Sequence, residues 1–393
     1  MARGGALADA VVSMNIPVTK TVLGEEEIKA VAERLLGGWV VQGPKVREFE
    51  ELFAAYAGTR FARATTSCTT ALHLGLLTLG VGPGDEVIVP AFTYVASANA
   101  VVYCGATPVF VDIDLSTFDV DVSKIEAKIT PKTKAIMPVH EFGLAADMDA
   151  ILAIAKRHDI PVIEDGACAT GTRYHGKHVG GFGKVGCFSF HPRKAITSGE
   201  GGMITTDDEA IATRLEVLRS HGASMSDLAR HEKGGASFAL PEFDELGFNY
   251  RMTDIQAAIG VEQMKKLPWI LSARQARAKR FNELLAGIPG LTLPRTPEGY
   301  EHAFQSYVAI VEKSHEDRDR IALALQAKGI ATRQGTHAVH ALGYYRAKYG
   351  TKIEDCPMAW KADRQSMTLP LYATMTDEEQ DYVVRCVRET MAS

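Results

Sequence analysis

The sequence contains no long apolar run, no C-x-x-C pair and no strong excess of charge of one sign. No stretch is long and apolar enough to cross a membrane. Lysine and arginine number 43 and aspartate and glutamate 48, so the net charge is −5 and nucleic acid is not an expected partner. The apolar stretch at the start is short and interrupted by Asp9, unlike a secretion signal. We therefore expect residues 1–13 to be either a loose extension or the result of an early start codon, and the protein to be cytoplasmic.

Cysteines are few, and their spacing does not suggest a framework of disulfides. Several of the six lie inside apolar runs, as buried thiols of a reducing compartment do. His337 and His340 are three positions apart, but no third ligand accompanies them, so no metal site is predicted. The cysteines that we expect to be free are Cys68, Cys104, Cys168, Cys187, Cys356 and Cys386.

Length and composition predict two globular domains. The chain has 393 residues, of which 46% are hydrophobic and 23% charged. These values are ordinary for a protein that buries a sizeable core without disulfides. We place a large domain over residues 15–255 and a smaller α+β domain over residues 256–393.

Short apolar strands alternate with helices along the large domain. This pattern predicts an α/β fold with a mostly parallel central sheet and helices on both faces. Ligands of such sheets bind beyond the carboxyl ends of the strands. Strands are expected at 86–90, 107–111, 135–139, 160–163, 185–190 and 202–205, and helices at 25–36, 45–56, 69–75, 147–157, 255–267, 316–328 and 377–391.

A lysine stands at one of these strand ends. Lys194 lies between an apolar strand and the glycines of FSFHPRKAITSGEGG, with Ser189 and His191 beside it. A lysine after a strand is usually a surface residue. Glycines at this density, however, let the backbone approach a ligand closely. A lysine that loses solvent there can become neutral and attack a carbonyl.

Three further segments carry chemistry of the same kind. Asp165 ends the apolar run of PVIEDGACATG, where it is either a helix cap or a carboxylate that keeps a pyridine nitrogen protonated. The run from Thr66 to Thr69 precedes a helix, where small polar residues either cap the helix or bind a phosphate. Tyr94 is either a core residue or a ring that stacks on a cofactor. In chain order, these residues fit pyridoxal phosphate (PLP).

The run GFGKVG, from Gly181 to Gly186, matches the dinucleotide pattern G-x-G-x-x-G. It leads into a strand rather than following one and opening a helix. The dinucleotide fingerprint requires the opposite order, so we do not interpret this run as a dinucleotide site.

With these motifs in place, the sequence resembles the DegT/DnrJ/EryC1/StrS family of PLP-dependent sugar aminotransferases. The resemblance extends from about Ile16 to Arg388. It rests on ordered segments that include GGWVVQGPKVREFE, TSCTTALHLGL, PAFTYVASANA, PVHEFGLAADMDAI, VIEDGACATG, FSFHPRKAITSGEGG, GFNYRMTDIQAAIG and LPLY. It implies a fold type I architecture and a homodimer with sites at the subunit interface.

The resemblance also implies roles for single residues. Lys194 would be the Schiff-base lysine and proton shuttle, and Asp165 the partner of the pyridine nitrogen. Tyr94 would stack on the cofactor ring, and Asn249 would reach the phosphate of the neighbouring subunit. The implied phosphate cup is formed by Ser67, Cys68, Thr69 and Ser189, and the implied sugar pocket by Arg333 and His340.

Three features depart from the family pattern. Cys68 replaces the usual glycine between Ser67 and Thr69, which adds a side chain near the phosphate. Cys168 stands where a histidine or glutamine normally bonds the phenolic oxygen of the cofactor, and a thiol is a weak donor. The C-terminal pocket segment lacks the common prolines.

The expected activity is transfer of an amino group from L-glutamate to a keto-sugar nucleotide by a ping-pong reaction. A second hypothesis is a sugar dehydratase of the same fold. Such relatives carry a histidine at the lysine position, so Lys194 argues against it. A third is a non-catalytic, PLP-bound regulatory dimer, which no basic arm or helix-turn-helix pattern supports.

Overall fold

The structure is a computed structural model that describes residues 14–225 and 241–392. The predicted extension of residues 1–13 lies outside the described residues. All of the candidate site residues lie within them.

Seven strands form the central sheet, in the order β4-β2-β5-β6-β9-β10-β1. Single bridges from Ile136 to Val162 and from Val139 to Asp165 join β5 to β6. Only β10 runs against its neighbours, so the prediction of a mostly parallel sheet is confirmed. The strands of this sheet are β1 (Phe61–Thr65), β2 (Glu86–Pro90), β4 (Thr107–Val111), β5 (Thr133–Ile136), β6 (Ile163–Asp165), β9 (Val185–Ser189) and β10 (Gly202–Thr206). Three short strands lie outside it: β3 (Phe92–Thr93), β7 (Arg173–Tyr174) and β8 (Lys177–His178).

Helices cover both faces of this sheet. Along β2, the side chain of Ile88 packs in one apolar cluster and those of Val87 and Val89 in the other, because successive strand residues point to opposite faces. The first cluster contains residues of α2 (Pro44–Ala57), α5 (Met148–His158) and α7 (Asp254–Leu285). The second contains residues of α3 (Cys68–Thr78), α4 (Ala96–Tyr103) and α6 (Glu209–Arg219), while α1 (Glu25–Gly37) packs against α7.

Some boundaries differ from the prediction. The strand expected at 160–163 is found at Ile163–Asp165, and the one expected at 135–139 at Thr133–Ile136. The helix expected at 255–267 continues through Pro268 to Leu285. Its buried face resumes with Ile270 after the proline, so packing outweighs the hydrogen bond that a proline removes.

The C-terminal part contains a three-stranded antiparallel sheet with helices against it. Ile16 packs in the same apolar cluster as Phe281 and Val387, and it bridges to Ile330. A division of the chain at residues 255 and 256 stays a prediction. The elements are β11 (Leu291–Thr292), β12 (Tyr300–Glu301), β13 (Tyr307–Val311), β14 (His337–Ala338), β15 (Ser366–Leu369), α8 (His315–Ala327), α9 (Gly343–Tyr349), α10 (Pro357–Gln365) and α11 (Asp377–Ala392).

Within residues 14–225 and 241–392, no helix combines the length and the apolar character that crossing a membrane requires. The six cysteines are free thiols, and all but Cys168 are buried.

Candidate active site

Lys194 lies in the connection between β9 and β10. The turn is held by hydrogen bonds from Lys194 N to the His191 carbonyl and from Thr197 Oγ1 and Ser198 N to the Phe190 carbonyl. Gly199 completes it with φ +86°, a conformation that side chains disfavour. The turn directs Lys194 Nζ towards Cys168 Sγ, 3.1 Å away. The turn therefore places the amine against Cys168, three residues beyond the end of β6.

The charge of Lys194 depends on opposing effects. Burial by itself lowers the pKa of the ammonium, but Cys168, Cys68 and Asp165 outweigh it and leave the pKa raised. Burial also raises the pKa of both thiols, so at neutral pH they are uncharged. The remaining partner of Lys194 is the carboxyl group of Asp165.

Asp165 is buried at the carboxyl end of β6, as the sequence predicts. Its Oδ1 accepts a hydrogen bond from Ala167 N at 3.0 Å, and its Oδ2 accepts one from Ser97 Oγ at 2.8 Å. Burial raises the pKa of this carboxyl, while these bonds and Lys194 oppose the rise. Ser97 was missed by the sequence analysis, although it follows Tyr94 by three positions and its hydroxyl fixes the carboxylate.

The segment from Ser67 to Thr69 forms the N-terminus of α3. Ser67 caps the helix by accepting from Thr70 N at 3.2 Å. Gly202 pairs with both Thr65 and Ser189, which brings β9 beside this helix end. A Cβ at Gly202 would lie 2.4 Å from the Ser67 carbonyl. This close approach leaves a cup of backbone N–H groups and hydroxyls that suits a phosphate.

Tyr94 and Asn249 both lie on the surface of the chain. Tyr94 follows β3, and its side chain is 65% exposed. This exposure excludes the interpretation of Tyr94 as a core residue. Asn249 is exposed and bridges to Ser220, and the next residue, Tyr250, accepts from Thr66 N at 2.9 Å. Asn249 therefore sits near the phosphate cup and is exposed to solvent.

The two residues of the implied sugar pocket are in different surroundings. Arg333 lines a cavity that also contains Ser306, whose Oγ lies 3.5 Å from an Arg333 Nη. His340 is fully buried, with its Nε2 3.2 Å from the Ile353 carbonyl oxygen and its ring against Phe110. The structure brings Arg333 towards the site and keeps His340 inside the fold.

A buried carboxyl that the sequence analysis did not single out is Glu141. It lies in a short 3₁₀ turn with Phe142, whose φ is +54°. Burial and the nearby Asp165 raise the pKa of Glu141 to about 8, although Lys194 and Arg333 oppose the rise. Glu141 is therefore mainly protonated at neutral pH.

The glycine-rich run before β9 has a structural partner. The carboxylate of Glu164 accepts hydrogen bonds from the backbone N–H groups of Gly180, Phe182 and Gly183 at 2.6 to 2.8 Å, and His140 Nε2 lies 3.0 Å from it. Burial would raise the pKa of Glu164, but His140 and the backbone donors lower it. The run binds a carboxylate of its own chain, which agrees with its rejection as a dinucleotide site.

Comparison with known proteins settles the family. The model of the DegT/DnrJ/EryC1/StrS aminotransferase family matches residues 21–388. The chain belongs to this family. A spore coat polysaccharide biosynthesis protein of Bacillus subtilis is 40% identical, and the match covers 95% of this chain and 96% of the relative. A GDP-perosamine synthase of Caulobacter vibrioides is 41% identical, with 96% and 98% covered.

Solved structures agree with this assignment. The aminotransferase superposes on Spr1654 of Streptococcus pneumoniae in its PMP-form with a TM-score of 0.91 at 33% identity, over 96% of this chain and 99% of that one. An aminotransferase of Psychrobacter cryohalolentis gives 0.89 at 33% identity, with 96% and 99% covered. The fold is therefore the expected fold type I, the cofactor is PLP and the setting is amino-sugar biosynthesis.

The residues of this aminotransferase fit PLP. The cup at the start of α3 stays open because β10 has no Cβ at Gly202. Lys194 and Asp165 meet at neighbouring strand ends, and the carboxylate of Asp165 is oriented by two hydrogen bonds. A phosphate site, an amine and a buried carboxylate are the groups that hold PLP.

Proposed function

We propose that this aminotransferase moves an amino group from L-glutamate to a keto sugar linked to a nucleoside diphosphate. The observation that carries the proposal is the placement of Lys194 Nζ against Cys168, beside the buried carboxylate of Asp165. The GDP-perosamine synthase among the relatives supports a nucleotide-linked sugar as the acceptor. The spore coat polysaccharide protein supports a role in surface polysaccharide.

When bound, PLP supplies an electron sink that stabilises negative charge at the carbon losing a proton. In this proposal Asp165 holds a proton on the pyridine nitrogen. The phosphate is bound by Ser67, by the backbone N–H groups of Cys68 and Thr69, and by Ser189. Tyr94 would cover the ring, and Cys168 would face its phenolic oxygen.

Lys194 Nζ is the group that moves protons. It would take the proton from Cα of the amino acid and deliver it to C4′ of the cofactor. In the second half-reaction it would take a proton from C4′ and add it to the sugar carbon that receives the amine. The turn from His191 to Gly199 keeps the amine at the strand ends through both half-reactions. Splitting the exchange in two replaces one hard step with two easier ones.

The active form in this proposal is a homodimer. Large apolar side chains are exposed on α1 and before α7, among them Ile28 at 71%, Leu36 at 89% and Leu246 at 84%. In this proposal these side chains lie in the interface between the two subunits. Asn249 and Tyr94 are exposed as well, as residues at a shared site would be.

Half-reactions followed through the cofactor absorbance test the proposal. L-glutamate alone should convert the PLP-loaded protein to its amino form, and a panel of nucleotide-linked keto sugars should return it. The set of sugars that reverses the change identifies the acceptor. A cofactor spectrum that no amino acid alters would contradict the proposal and favour a regulatory role.

A further inference from the structure

Gln263 lies in α7 and contacts the turn that carries Lys194, the lysine turn of residues 191–199. Its side chain is 1% exposed, and its Oε1 accepts a hydrogen bond from Thr197 N at 3.3 Å. Thr197 is also buried, and its Oγ1 accepts a hydrogen bond from Gly199 N at 3.0 Å. Gln263 therefore holds the residue around which the lysine turn is built.

The amide nitrogen of Gln263 binds the other side, which is α1 and the segment before it. Its Nε2 donates to the Val22 carbonyl at 2.7 Å and to Glu27 Oε1 at 2.8 Å. Glu27 is a buried residue of α1, and its Oε2 accepts a hydrogen bond from Lys266 Nζ at 2.7 Å. Burial alone would raise the pKa of Glu27, but the bonds from Lys266 and Gln263 leave it lowered. Gln263 thus joins the lysine turn to a charged carboxylate on α1.

The three neighbours of Gln263 require an amide at this position. One of them is a backbone N–H donor, and the other two are a carbonyl and a carboxylate, which accept. An amide offers both an acceptor oxygen and two N–H donors. A carboxylate in its place could not donate and would face Glu27 as a like charge, and an apolar side chain would leave the three groups unpaired.

A second contact joins the lysine turn to the segment before α1. Thr21 Oγ1 donates to the Pro192 carbonyl at 3.1 Å. The Val18 carbonyl in the same segment accepts a hydrogen bond from Leu371 N at 3.0 Å, so the C-terminal part holds this segment as well. The lysine turn is rich in glycine at its end, and glycine restricts the backbone little. Its position therefore depends on contacts with residues that are 66 and 171 places away in the sequence.

We propose that Gln263 is a positioning residue for the aminotransfer, which keeps Lys194 Nζ in place by fixing the lysine turn against α1. It acts through Thr197. The inference rests on the proposed function, in which Lys194 moves the protons. A misplacement of a catalytic group by about 1 Å can lower a rate by roughly 100-fold. Loss of the amide should therefore slow the proton transfer and leave the binding of the amino donor nearly unchanged.

Gln263→Met removes the amide at nearly the same side-chain length. Conversion of the PLP-loaded protein to its amino form by saturating L-glutamate should slow by roughly 10- to 100-fold. The half-saturating concentration of L-glutamate should change little. The pH at which the cofactor absorbance changes should also shift, because the surroundings of Lys194 Nζ change when the lysine turn moves. This second readout needs no turnover, so it tests Gln263 whichever amino acid is the donor.

An exchange of residues tests the contact with α1 directly. Gln263→Glu keeps an acceptor for Thr197 N but places a second carboxylate against Glu27, so it should slow the conversion too. Addition of Glu27→Gln restores an amide beside a carboxylate and should recover part of the lost rate.

Asn282→Ala is the matched control, because it also removes a hydrogen bond of α7, the one that Asn282 Oδ1 accepts from Tyr307 at 2.7 Å. It lies near the other end of the helix. It should lower the melting temperature and leave the conversion rate and the absorbance titration unchanged. An unchanged rate and titration in Gln263→Met would overturn the proposal. So would an equal loss of rate in Asn282→Ala, or a loss in Gln263→Glu that Glu27→Gln does not reduce.

Discussion

The Nζ of Lys194 lies 3.1 Å from Cys168 Sγ, and this contact joins the loop after β9 to the loop after β6. In the family pattern the position of Cys168 carries a histidine or glutamine. A thiol is a weaker hydrogen-bond partner than either. The amine of Lys194 therefore has a weakly bonding thiol as its neighbour, with the carboxyl group of Asp165 close by.

Lys194→Ala should abolish covalent attachment of the cofactor. Reduction of the loaded protein with borohydride, followed by mass analysis of its peptides, should mark the peptide of Lys194 in the unchanged protein and no peptide in the variant. The control is Lys184→Ala, because Lys184 is an exposed lysine. This variant should be labelled on the peptide of Lys194, as the unchanged protein is. Labelling of another lysine with retained turnover in Lys194→Ala would show that the assignment is wrong.

Cys168→His should shift the pH dependence of the cofactor absorbance. A hydrogen bond to one protonation state changes the pKa of the group that receives it, and histidine is a better donor than a thiol. Titration of the absorbance of both loaded proteins measures the shift. Cys386→Ala, at a buried position in α11, should leave the titration unchanged. Identical titrations for Cys168→His and the unchanged protein, with the cofactor bound to both, would count against this placement.

Gly202→Ala should weaken PLP binding by at least ~10-fold. The added Cβ would lie 2.4 Å from the carbonyl carbon and oxygen of Ser67, so the N-terminus of α3 must move. Each lost hydrogen bond to a charged phosphate costs about 1.5–3 kcal/mol. Titration of cofactor-free protein with PLP measures the affinity, and the melting temperature of that protein reports stability separately.

The matched control for this change is Gly82→Ala, because a Cβ at Gly82 meets no atom within 4 Å. It should bind PLP normally. An affinity in Gly202→Ala equal to that of this control would mean that the start of α3 does not hold the phosphate.

Glu141→Gln should make the cofactor-free protein more resistant to alkaline pH. Burial raises the pKa of Glu141 in the folded state from the usual 4.5 to about 8. The unfolded chain releases the proton at lower pH. The contribution of Glu141 to the free energy of unfolding therefore falls as pH rises from about 4.5 to 8. At about 1.4 kcal/mol per pKa unit the loss is at most ~5 kcal/mol, and glutamine avoids it.

Melting temperatures of both proteins between pH 5 and pH 9 test this expectation. The melting temperature of Glu141→Gln should rise relative to that of the unchanged protein as pH increases. The melting temperature of Glu298→Gln, a change at an exposed position, should not. A constant difference across the range would show that Glu141 ionises normally in the folded protein.

Mixed dimers should test whether two chains build each active site. Lys194→Ala and Asn249→Ala are expected to be nearly inactive alone. If Asn249 serves the partner's cofactor, a mixed dimer has both defects in one site and an intact second site. About half of randomly re-paired dimers are mixed, so roughly a quarter of the sites should recover, as two-fold symmetry requires.

Lys194→Ala mixed with Asp165→Ala is the control, because both residues belong to one chain's site and Lys194 and Asp165 are neighbours there. That mixture should recover nothing. Equal failure of the Asn249→Ala mixture, with subunit exchange verified by mass, would refute the shared site.

Much of the site followed from local sequence pattern. Asp165 lies at the end of β6 and Lys194 in the loop after the parallel β9, as the sequence pattern indicates, because the carboxyl ends of parallel strands meet at one edge of a sheet. Their roles stay a prediction. Ser67 was expected at the start of a helix, because a small polar residue before an apolar helix is the pattern of an N-cap. Such features depend on residues a few positions apart.

The tertiary structure decided the features that depend on distant parts of the chain. Ser97 orients the carboxylate of Asp165 from 68 positions away. Arg193 and Arg333 share a cavity only because the loop after β9 packs against the C-terminal part. Sequence determined which strand ends carry reactive groups, since hydrophobic periodicity is local. Packing between remote segments determined what surrounds those groups, since burial and long-range contacts exist only in the folded chain.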